Sequence, residues 1–242
     1  MKTDIHTHTL ASGHGTADTI ADMARAAAAK GLSLLGIADH GPATPGSASA
    51  SYFRSLAGAP SHRFGVRILY GAEVNILDGG GLDLPDDILT RLDFVIASMH
   101  APPRRFDPSR DSTPDYLRAM ENPYVCVLGH PDSTQFPADY DRLTDAAAAR
   151  GVILEVNESS LMPGGYHHLP GTDITANYRR LIALCREKRI PMLLSSDAHG
   201  TQRIGCTELA ERLIREADFP EALIVNEHPE LLLARREAGL GF

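Results

Sequence analysis

The sequence predicts an α/β fold built from parallel βα units. Short apolar runs alternate with stretches of helical hydrophobic spacing through most of the chain. With 242 residues, 43% of them hydrophobic, the chain can bury one large core, and we therefore expect a single domain over residues 1–242. Most of the predicted strands also end in His, Asp or Glu. In a parallel barrel those ends share one face, where active sites are built.

The first half of the chain supplies four predicted strands. The first carries His6-Thr7-His8, and a helix follows within 16–30, where apolar residues recur at helical spacing before Gly31. The next three predicted strands are 34–38, 66–70 and 92–97. A connection rich in Ser, Ala, Gly and Pro spans 43–65, with at most a short helix around 52–56. A loop of that length in a compact domain usually has a functional use or is mobile.

The second half supplies three further predicted strands, at 125–128, 152–157 and 191–194. Helices are predicted over 141–150 and 207–216. Residues 222–225 form a short apolar run that predicts a terminal strand, before a last helix that contains Leu231, Leu232 and Leu233.

The polar residues at the strand ends predict a metal site. Residues i and i+2 of a strand point to the same face, so His6 and His8 would project side by side, and neutral imidazole is the commonest metal ligand. Any one of these residues could instead be a turn or capping residue, but so many on one face favour metal binding. The candidate ligands are His6, His8, His14, His40, Glu73, His100, His130, Asp197 and His199. They are too many for a mononuclear zinc site, and they suffice for two or three ions if Glu73 bridges.

As an ordered set, these residues resemble the PHP (polymerase and histidinol phosphatase) family, and in particular its small YcdX-like phosphatase branch. The resemblance rests on the His6-Thr7-His8 motif, on Asp39-His40-Gly41-Pro42, on Gly129-His130-Pro131 and on Ser196-Asp197-Ala198-His199, together with His14, Glu73 and His100. It covers nearly the whole chain. It implies a distorted (β/α)7 barrel, which is a TIM-like fold, and a metal-dependent phosphoesterase activity.

The resemblance also implies how the ligands divide among three divalent ions. One ion would take His6, His8, Glu73 and Asp197. A second would share Glu73 and add His100 and His130, and a third would be held by His14, His40 and His199. Imidazole ligands favour zinc, with manganese or iron as alternatives.

The implied reaction is hydrolysis of a phosphate monoester by a hydroxide that bridges two metals. The partner would be a small phosphorylated substrate, and divalent ions would attract it despite a formal net charge of -8. Arg203, Arg104 and Arg105 are candidate phosphate contacts, although surface arginines are the commoner case. His167 and His168 lie on a loop that could touch the substrate.

Three other functions remain open from the sequence. An amidohydrolase-type barrel also begins with HxH, but its plan needs Lys or Glu on the fourth strand, where this chain has His100. A phosphodiesterase or 3′-5′ exonuclease would use the same metals, although the acidic net charge disfavours nucleic acid. A non-enzymatic, metal-binding structural domain would need ions with closed coordination shells.

The sequence also predicts a cytoplasmic protein without membrane partners. It contains no apolar run of 18 residues, and Asp4 and His6 interrupt the N-terminus where a signal peptide would be apolar. The cysteines, at 126, 185 and 206, form no CxxC pair and no disulfide framework.

Overall fold

A computed structural model describes residues 2–103, 105, 107–165 and 169–241. In chain order, its strands are β1 (Thr3–Asp4), β2 (Thr7–His8), β3 (Leu34–Ile37), β4 (His62–Arg63), β5 (Val66–Asn75), β6 (Phe94–Ser98), β7 (Val127–Leu128), β8 (Ile153–Asn157), β9 (Met192–Ser195) and β10 (Ala198–His199).

The described residues form a nearly closed barrel of seven parallel strands, in the order β1-β3-β5-β6-β7-β8-β9. Strand β4 adds to β5 in the antiparallel direction. Strands β2 and β10 also pair in parallel, with Thr7 opposite Ala198 and His8 opposite His199. Because β2 follows β1 and β10 follows β9, this pair links the two ends of the sheet. The predicted TIM-like α/β barrel is confirmed.

Helices lie in the connections between strands. They are α1 (Ile20–Ala29), α2 (Ala50–Leu56), α3 (Asp86–Leu89), α4 (Thr113–Ala119), α5 (Tyr140–Arg150), α6 (Glu158–Leu161), α7 (Ile174–Lys188), α8 (Glu208–Glu216) and α9 (Glu230–Leu240). Thr19 and Asp22 form a capping box at α1, and Asp139 and Asp173 cap α5 and α7. Each such cap stabilises its helix by about 1 kcal/mol.

The barrel interior changes from apolar to polar along its strands. Leu69 and Glu73 on β5, and Ile153 and Glu155 on β8, are separated by even numbers of residues and so point to the same face. Leu69 and Ile153 pack in a buried apolar cluster with Ile5, Phe94 and Leu193. A larger apolar cluster lies between the strands and the helices. Glu73 and Glu155 therefore stand on an apolar floor, at the carboxyl ends of the strands.

The predicted terminal strand at 222–225 is wrong. A short 3-10 helix covers Glu221–Leu223, because the backbone turns just after Pro220 and the amide of Leu223 bonds to the Pro220 carbonyl. The contact with β9 is limited to an isolated bridge between Ile224 and Met192, in which the Val225 amide donates to the Met192 carbonyl.

Other differences are smaller. The loop predicted over 43–65 contains α2 and β4, and the histidine-rich first strand is divided into β1 and β2. No bounds were predicted for α7, which packs closely against α5. In the described part of the chain, no helix has both the length and the apolar character needed to span a bilayer.

Candidate metal centre

The nine candidate ligands meet at the carboxyl end of the barrel. His8 and His199 are on the paired strands β2 and β10, with His6 just before β2 and Asp197 just before β10. Glu73 is on β5, and His40, His100 and His130 follow β3, β6 and β7. His14 follows a 3-10 helix over Leu10–Ser12. The structure thus brings together residues that the sequence spreads over nearly 200 positions.

Glu73 is the centre of this cluster and is fully buried. Its Oε1 atom lies 3.4 Å from His6 Nε2, 3.3 Å from His100 Nε2 and 2.9 Å from His130 Nε2. Its Oε2 atom lies 3.6 Å from His8 Nε2 and 2.7 Å from His40 Nδ1. Each carboxylate oxygen therefore faces a separate set of imidazole nitrogens, as a bridging ligand would.

Asp197 occupies the side of the cluster next to β2. Its Oδ1 atom lies 3.1 Å from His8 Nε2, 3.8 Å from His6 Nε2 and 3.5 Å from His199 Nδ1. His14 is exposed at the mouth, and its ring centroid lies 4.9 Å from that of His40 and 5.0 Å from that of His199.

Several buried polar atoms in the cluster lack a hydrogen-bond partner within the described part of the chain. They are His6 Nε2, His8 Nε2, His40 Nδ1, His199 Nε2, Glu73 Oε2 and Asp197 Oδ1. Even the 2.7 Å approach of His40 to Glu73 lacks hydrogen-bond geometry. Leaving so many buried polar groups unsatisfied would cost about 1–3 kcal/mol each. Lone pairs aimed at shared points are the arrangement that cations require, so these residues fit metal ions.

Ligand atoms within 4.8 Å of one another define three overlapping groups among the described residues. They are His6, His8 and Glu73; His40, Glu73 and His100; and His8, His40 and His199. The first two overlap the ligand sets expected for two ions. In the third, His8 stands where the expected set has His14. The division of the residues among ions stays a prediction.

Burial and neighbouring charge separate the histidines into two kinds. Burial lowers the pKa of His8 well below its ordinary value and that of His40 to about 4, so both are neutral at pH 7. For His6, burial has the opposite effect to the carboxylates of Glu155, Glu73 and Asp197, which together raise its pKa well above the ordinary value. Burial also opposes charge on His130, but Glu73 raises its pKa.

The two carboxylates of the cluster are ionised. Burial would raise the pKa of both groups, but nearby imidazoles hold the pKa of Glu73 and of Asp197 well below the ordinary range. Without metal, this negative charge favours extra ring protons on His6 and His130, whose pKa values are raised. A divalent cation would replace them.

Hydrogen bonds behind the rings orient two of the histidines. His8 Nδ1 lies 2.9 Å from Ser12 Oγ, which is 2.7 Å from Asp39. His100 Nδ1 lies 2.9 Å from Asn75 Oδ1. In both rings the Nδ1 proton has an acceptor, which leaves the Nε2 lone pair directed toward Glu73.

No role was predicted for Ser12 or Asn75, although Asn75 stands two residues after Glu73 at a strand end. Asp39 reaches His8 through Ser12, and Asp4 bonds to Ser196 and to the Gly205 amide.

Two of the candidate ligands have unusual backbones. His130 has φ of 28° and Asp197 has φ of 50°. Residues with side chains rarely adopt this left-handed region, and such strain is concentrated at functional sites.

A cavity of about 430 Å³ opens above the cluster. His14, His40, His100, Asp197 and His199 form its polar side, and the rest of its lining is Gly15, Thr44, Pro45, Ala101, Pro102 and Gln135. Thr44 and Pro45 come from the long connection, which thus has a place at the site.

The predicted phosphate contacts lie elsewhere or cannot be placed. Arg105 is exposed and Arg203 is half-buried, and neither lines the cavity. Arg104, His167 and His168 lie outside the described residues. A role for any of these side chains in substrate binding stays a prediction.

Comparison with known proteins gives consistent matches. The PHP domain model matches residues 4–159. A probable phosphatase of Clostridium novyi is 34% identical over 231 residues, which is 95% of this chain and 92% of the relative. A probable phosphatase of Caldanaerobacter subterraneus is 39% identical over 227 residues, covering 92% and 86% of the two chains.

A solved structure shares the fold. The histidinol phosphate phosphatase of Lactococcus lactis, complexed with zinc, L-histidinol and phosphate, matches with a TM-score of 0.60 and 17% identity over 90% of this chain and 94% of that one. The family model covers more than half of the chain, and the relatives cover nearly all of it. The chain therefore belongs to the PHP domain family.

Proposed function

We propose that this protein is a metal-dependent phosphatase that hydrolyses phosphate monoesters at a trinuclear site. The observation that carries the proposal is the set of buried polar atoms around Glu73 and Asp197 that have no hydrogen-bond partner in the described part of the chain, at the floor of a cavity open to solvent. The relatives named probable phosphatases, and the fold shared with a histidinol phosphate phosphatase, support the same reaction class.

His6, His8, Glu73 and Asp197 would hold one ion. Glu73 would bridge to a second ion with His100 and His130, and His14, His40 and His199 would hold the third. Bound divalent cations lower the pKa of coordinated water toward 7 and neutralise charge on phosphate oxygens. We propose zinc, because imidazoles dominate the ligand set, with manganese or iron as alternatives.

The protein's own groups prepare the site for an anion. Burial keeps the rings of His8 and His40 neutral, so metal binding does not have to displace a proton from a charged ring at either residue. Three ions would bring six positive charges against the two negative charges of Glu73 and Asp197. The surplus favours a phosphate monoester dianion over a neutral ester or amide.

The shape of the cavity supports a small substrate. Among the described residues, its walls beyond the candidate ligands are short or neutral side chains, and about 430 Å³ accommodates a phosphoryl group with a modest organic portion. A polynucleotide would need a longer, positively charged groove. The cavity therefore favours a monoesterase over a 3′-5′ exonuclease.

The positions of Lys30 and Lys188 do not support an amidohydrolase-type metal site. Lys30 donates to the Gln202 and Ile204 carbonyls, and Lys188 pairs with Asp145. Neither lines the cavity. A purely structural metal site is also disfavoured, because the cluster opens into solvent rather than being sealed.

Metal analysis and a substrate panel test the proposal. Protein as purified should contain close to three ions per chain and should hydrolyse p-nitrophenyl phosphate much faster than bis-p-nitrophenyl phosphate, single-stranded oligonucleotides, lactones or amides. Chelation should abolish the activity, and added zinc or manganese should restore it. Full activity after complete removal of metal would contradict the proposal. Faster hydrolysis of a diester or an amide would favour one of the alternatives.

A further inference from the structure

Glu155 is a buried carboxylate that the proposed chemistry does not use. It lies on β8 with no exposed surface, and it is outside the set of candidate ligands. Its Oε1 atom is 2.6 Å from His6 Nδ1 and 2.5 Å from Ser195 Oγ. Its Oε2 atom accepts the backbone N–H of His130 at 2.7 Å and faces Asn157 Nδ2 at 3.3 Å. One side chain therefore contacts two candidate ligands that come from different strands.

We propose that Glu155 is a positioning residue, which sets the ring tautomer of His6 and the backbone of His130 for metal binding. The proposal rests on the proposed function. Its two parts follow from the two oxygens of this carboxylate, because an ionised carboxylate can only accept hydrogen bonds.

The first part concerns the proton of His6. Oε1 can only accept, so a hydrogen must be on His6 Nδ1, and the second ring proton, on Nε2, is the one that leaves to give a lone pair there. Nε2 is the atom that faces Glu73 and Asp197, and it has no hydrogen-bond partner among the described residues. Glu155 thus selects the tautomer that can bind a cation and makes the imidazole more basic.

The second part concerns the backbone of His130. This residue has φ of 28°, a conformation that costs about 1–3 kcal/mol outside glycine. The charge-assisted hydrogen bond from its N–H to Glu155 offsets part of that cost. Gly129, just before His130, lets the residues of β6 come close, because a Cβ atom there would lie 2.2 Å from Ser98 Oγ and 2.8 Å from Ile96 Cγ2.

The Glu155→Gln variant makes the first part testable. The new NH₂ group cannot take the place of Oε2, because the two groups that face Oε2, the His130 amide and Asn157 Nδ2, are themselves hydrogen-bond donors. The NH₂ group must therefore take the place of Oε1, facing Ser195 and His6. The Ser195 hydroxyl can rotate to accept a hydrogen bond from it. His6 can accept at Nδ1 only by moving its proton to Nε2. The substitution therefore removes the lone pair that a metal needs, with almost no change in side-chain volume.

Glu158→Gln is the matched control. Glu158 is also buried and lies three residues along the chain, but its oxygens accept the backbone N–H groups of Leu209 and Ala210 at the start of α8. It has no hydrogen bond or ion pair with a candidate ligand in the described part of the chain. Both substitutions remove a buried carboxylate, but only the carboxylate of Glu155 contacts His6.

The experiment measures zinc content and zinc affinity, by chelator competition, for the wild type and both variants. Glu155→Gln should weaken the affinity for at least one ion by about 10- to 100-fold, the usual effect of losing such a partner. Glu158→Gln should keep the wild-type zinc affinity even if its melting temperature falls. Unchanged zinc affinity in a folded Glu155→Gln variant would overturn the role of Glu155. Equal losses in both variants would overturn it too.

A second measurement needs no Glu155 variant. In zinc-loaded wild-type protein with ¹⁵N-labelled histidines, long-range ring correlations should show a hydrogen-bonded proton on His6 Nδ1, assigned by its loss in His6→Ala. A ring with its proton on Nε2 would overturn the proposal even if Glu155→Gln failed to fold. Wild-type protein that binds no zinc, manganese or iron would overturn both this inference and the proposed function, whereas a metal-loaded wild type with unaffected Glu155→Gln would overturn this inference alone.

Discussion

The Ser12 hydroxyl accepts a hydrogen bond from the His8 ring at a distance of 2.9 Å. Ser12 has a single hydroxyl proton, and it donates this proton in a hydrogen bond to the Asp39 carboxylate at 2.7 Å, because a carboxylate oxygen can only accept. The Ser12 oxygen must therefore act as the acceptor toward His8 Nδ1 and toward the His40 amide at 3.2 Å. The direction of this chain of bonds leaves the lone pair of His8 on Nε2.

Removing that hydroxyl should affect both stability and metal binding. Ser12→Ala leaves His8 Nδ1 and one Asp39 contact unsatisfied in a buried site, and we expect a loss of about 1–3 kcal/mol in the free energy of unfolding of the metal-free protein. Zinc affinity should fall by about 10- to 100-fold. Urea denaturation and chelator competition measure the two effects.

Ser160→Ala is the control for that prediction. Ser160 is also fully buried, but its Oγ atom has no hydrogen-bond partner among the residues described, so its removal should change neither quantity appreciably. A Ser12→Ala variant that matched Ser160→Ala in both assays would contradict the role of Ser12.

His14→Ala should separate catalysis from folding. His14 is exposed at the mouth of the cavity, so its loss should leave the melting temperature nearly unchanged. We expect kcat to fall by about 100-fold or more, the scale for losing one electrostatic group from a preorganised site, and the bound-metal count to fall toward two. Steady-state kinetics and elemental analysis give both values.

His62→Ala provides the comparison, since His62 is an exposed histidine on β4 whose ring contacts Ser61. It should keep the wild-type kcat. Wild-type kcat in His14→Ala as well would remove the case for His14 at the third ion.

Metal uptake should release protons near neutral pH. In the metal-free protein the pKa of His6 is raised well above the ordinary value of 6.5, chiefly by Glu155, and Glu73 raises that of His130, so a cation must displace extra ring protons at neutral pH. Apparent zinc affinity should therefore rise with pH through the neutral range and level off once these groups have titrated. Calorimetry in two buffers of different ionisation enthalpy measures the released protons. Identical heats in both buffers at pH 7 would show that no proton leaves.

Gly129→Ala should disturb the packing of the backbone just before His130. A Cβ atom at this position would lie 2.2 Å from Ser98 Oγ and 2.8 Å from Ile96 Cγ2, so neighbouring atoms must shift. Overpacking of this kind costs about 1–3 kcal/mol, and we expect a matching loss in the free energy of unfolding together with weaker zinc binding. At Gly81 a Cβ atom would meet nothing within 4 Å, so Gly81→Ala should be close to neutral. Equal stability of the two variants would refute the steric argument.

The sequence predicted the barrel and the location of the cluster because both follow from periodicity. Strand ends of a parallel barrel share one face, so a polar residue after each apolar run predicts a common site without any knowledge of distances. His100 and His130 were placed in this way, and both lie beside Glu73. The wrong terminal strand at 222–225 shows the limit: four apolar residues do not reveal that Pro220 starts a tight turn.

The residues behind the rings were harder to predict because they depend on three-dimensional distance. Ser12 and Asn75 are common polar residues, and nothing in their spacing distinguishes them from solvated ones. Glu155 did carry a signal, since it interrupts the apolar run 152–156 with a charge that a buried strand rarely holds. Its role depends on contacts with His6 and His130, which are remote in sequence.

The pairing of β2 with β10 also determines when the centre can exist during synthesis. His6 and His8 leave the ribosome nearly 200 residues before Asp197 and His199. Contacts between such distant segments form late, because a long loop must close first. A nascent chain therefore carries its first two histidines without their partners, and the complete ligand set is assembled only as the barrel closes.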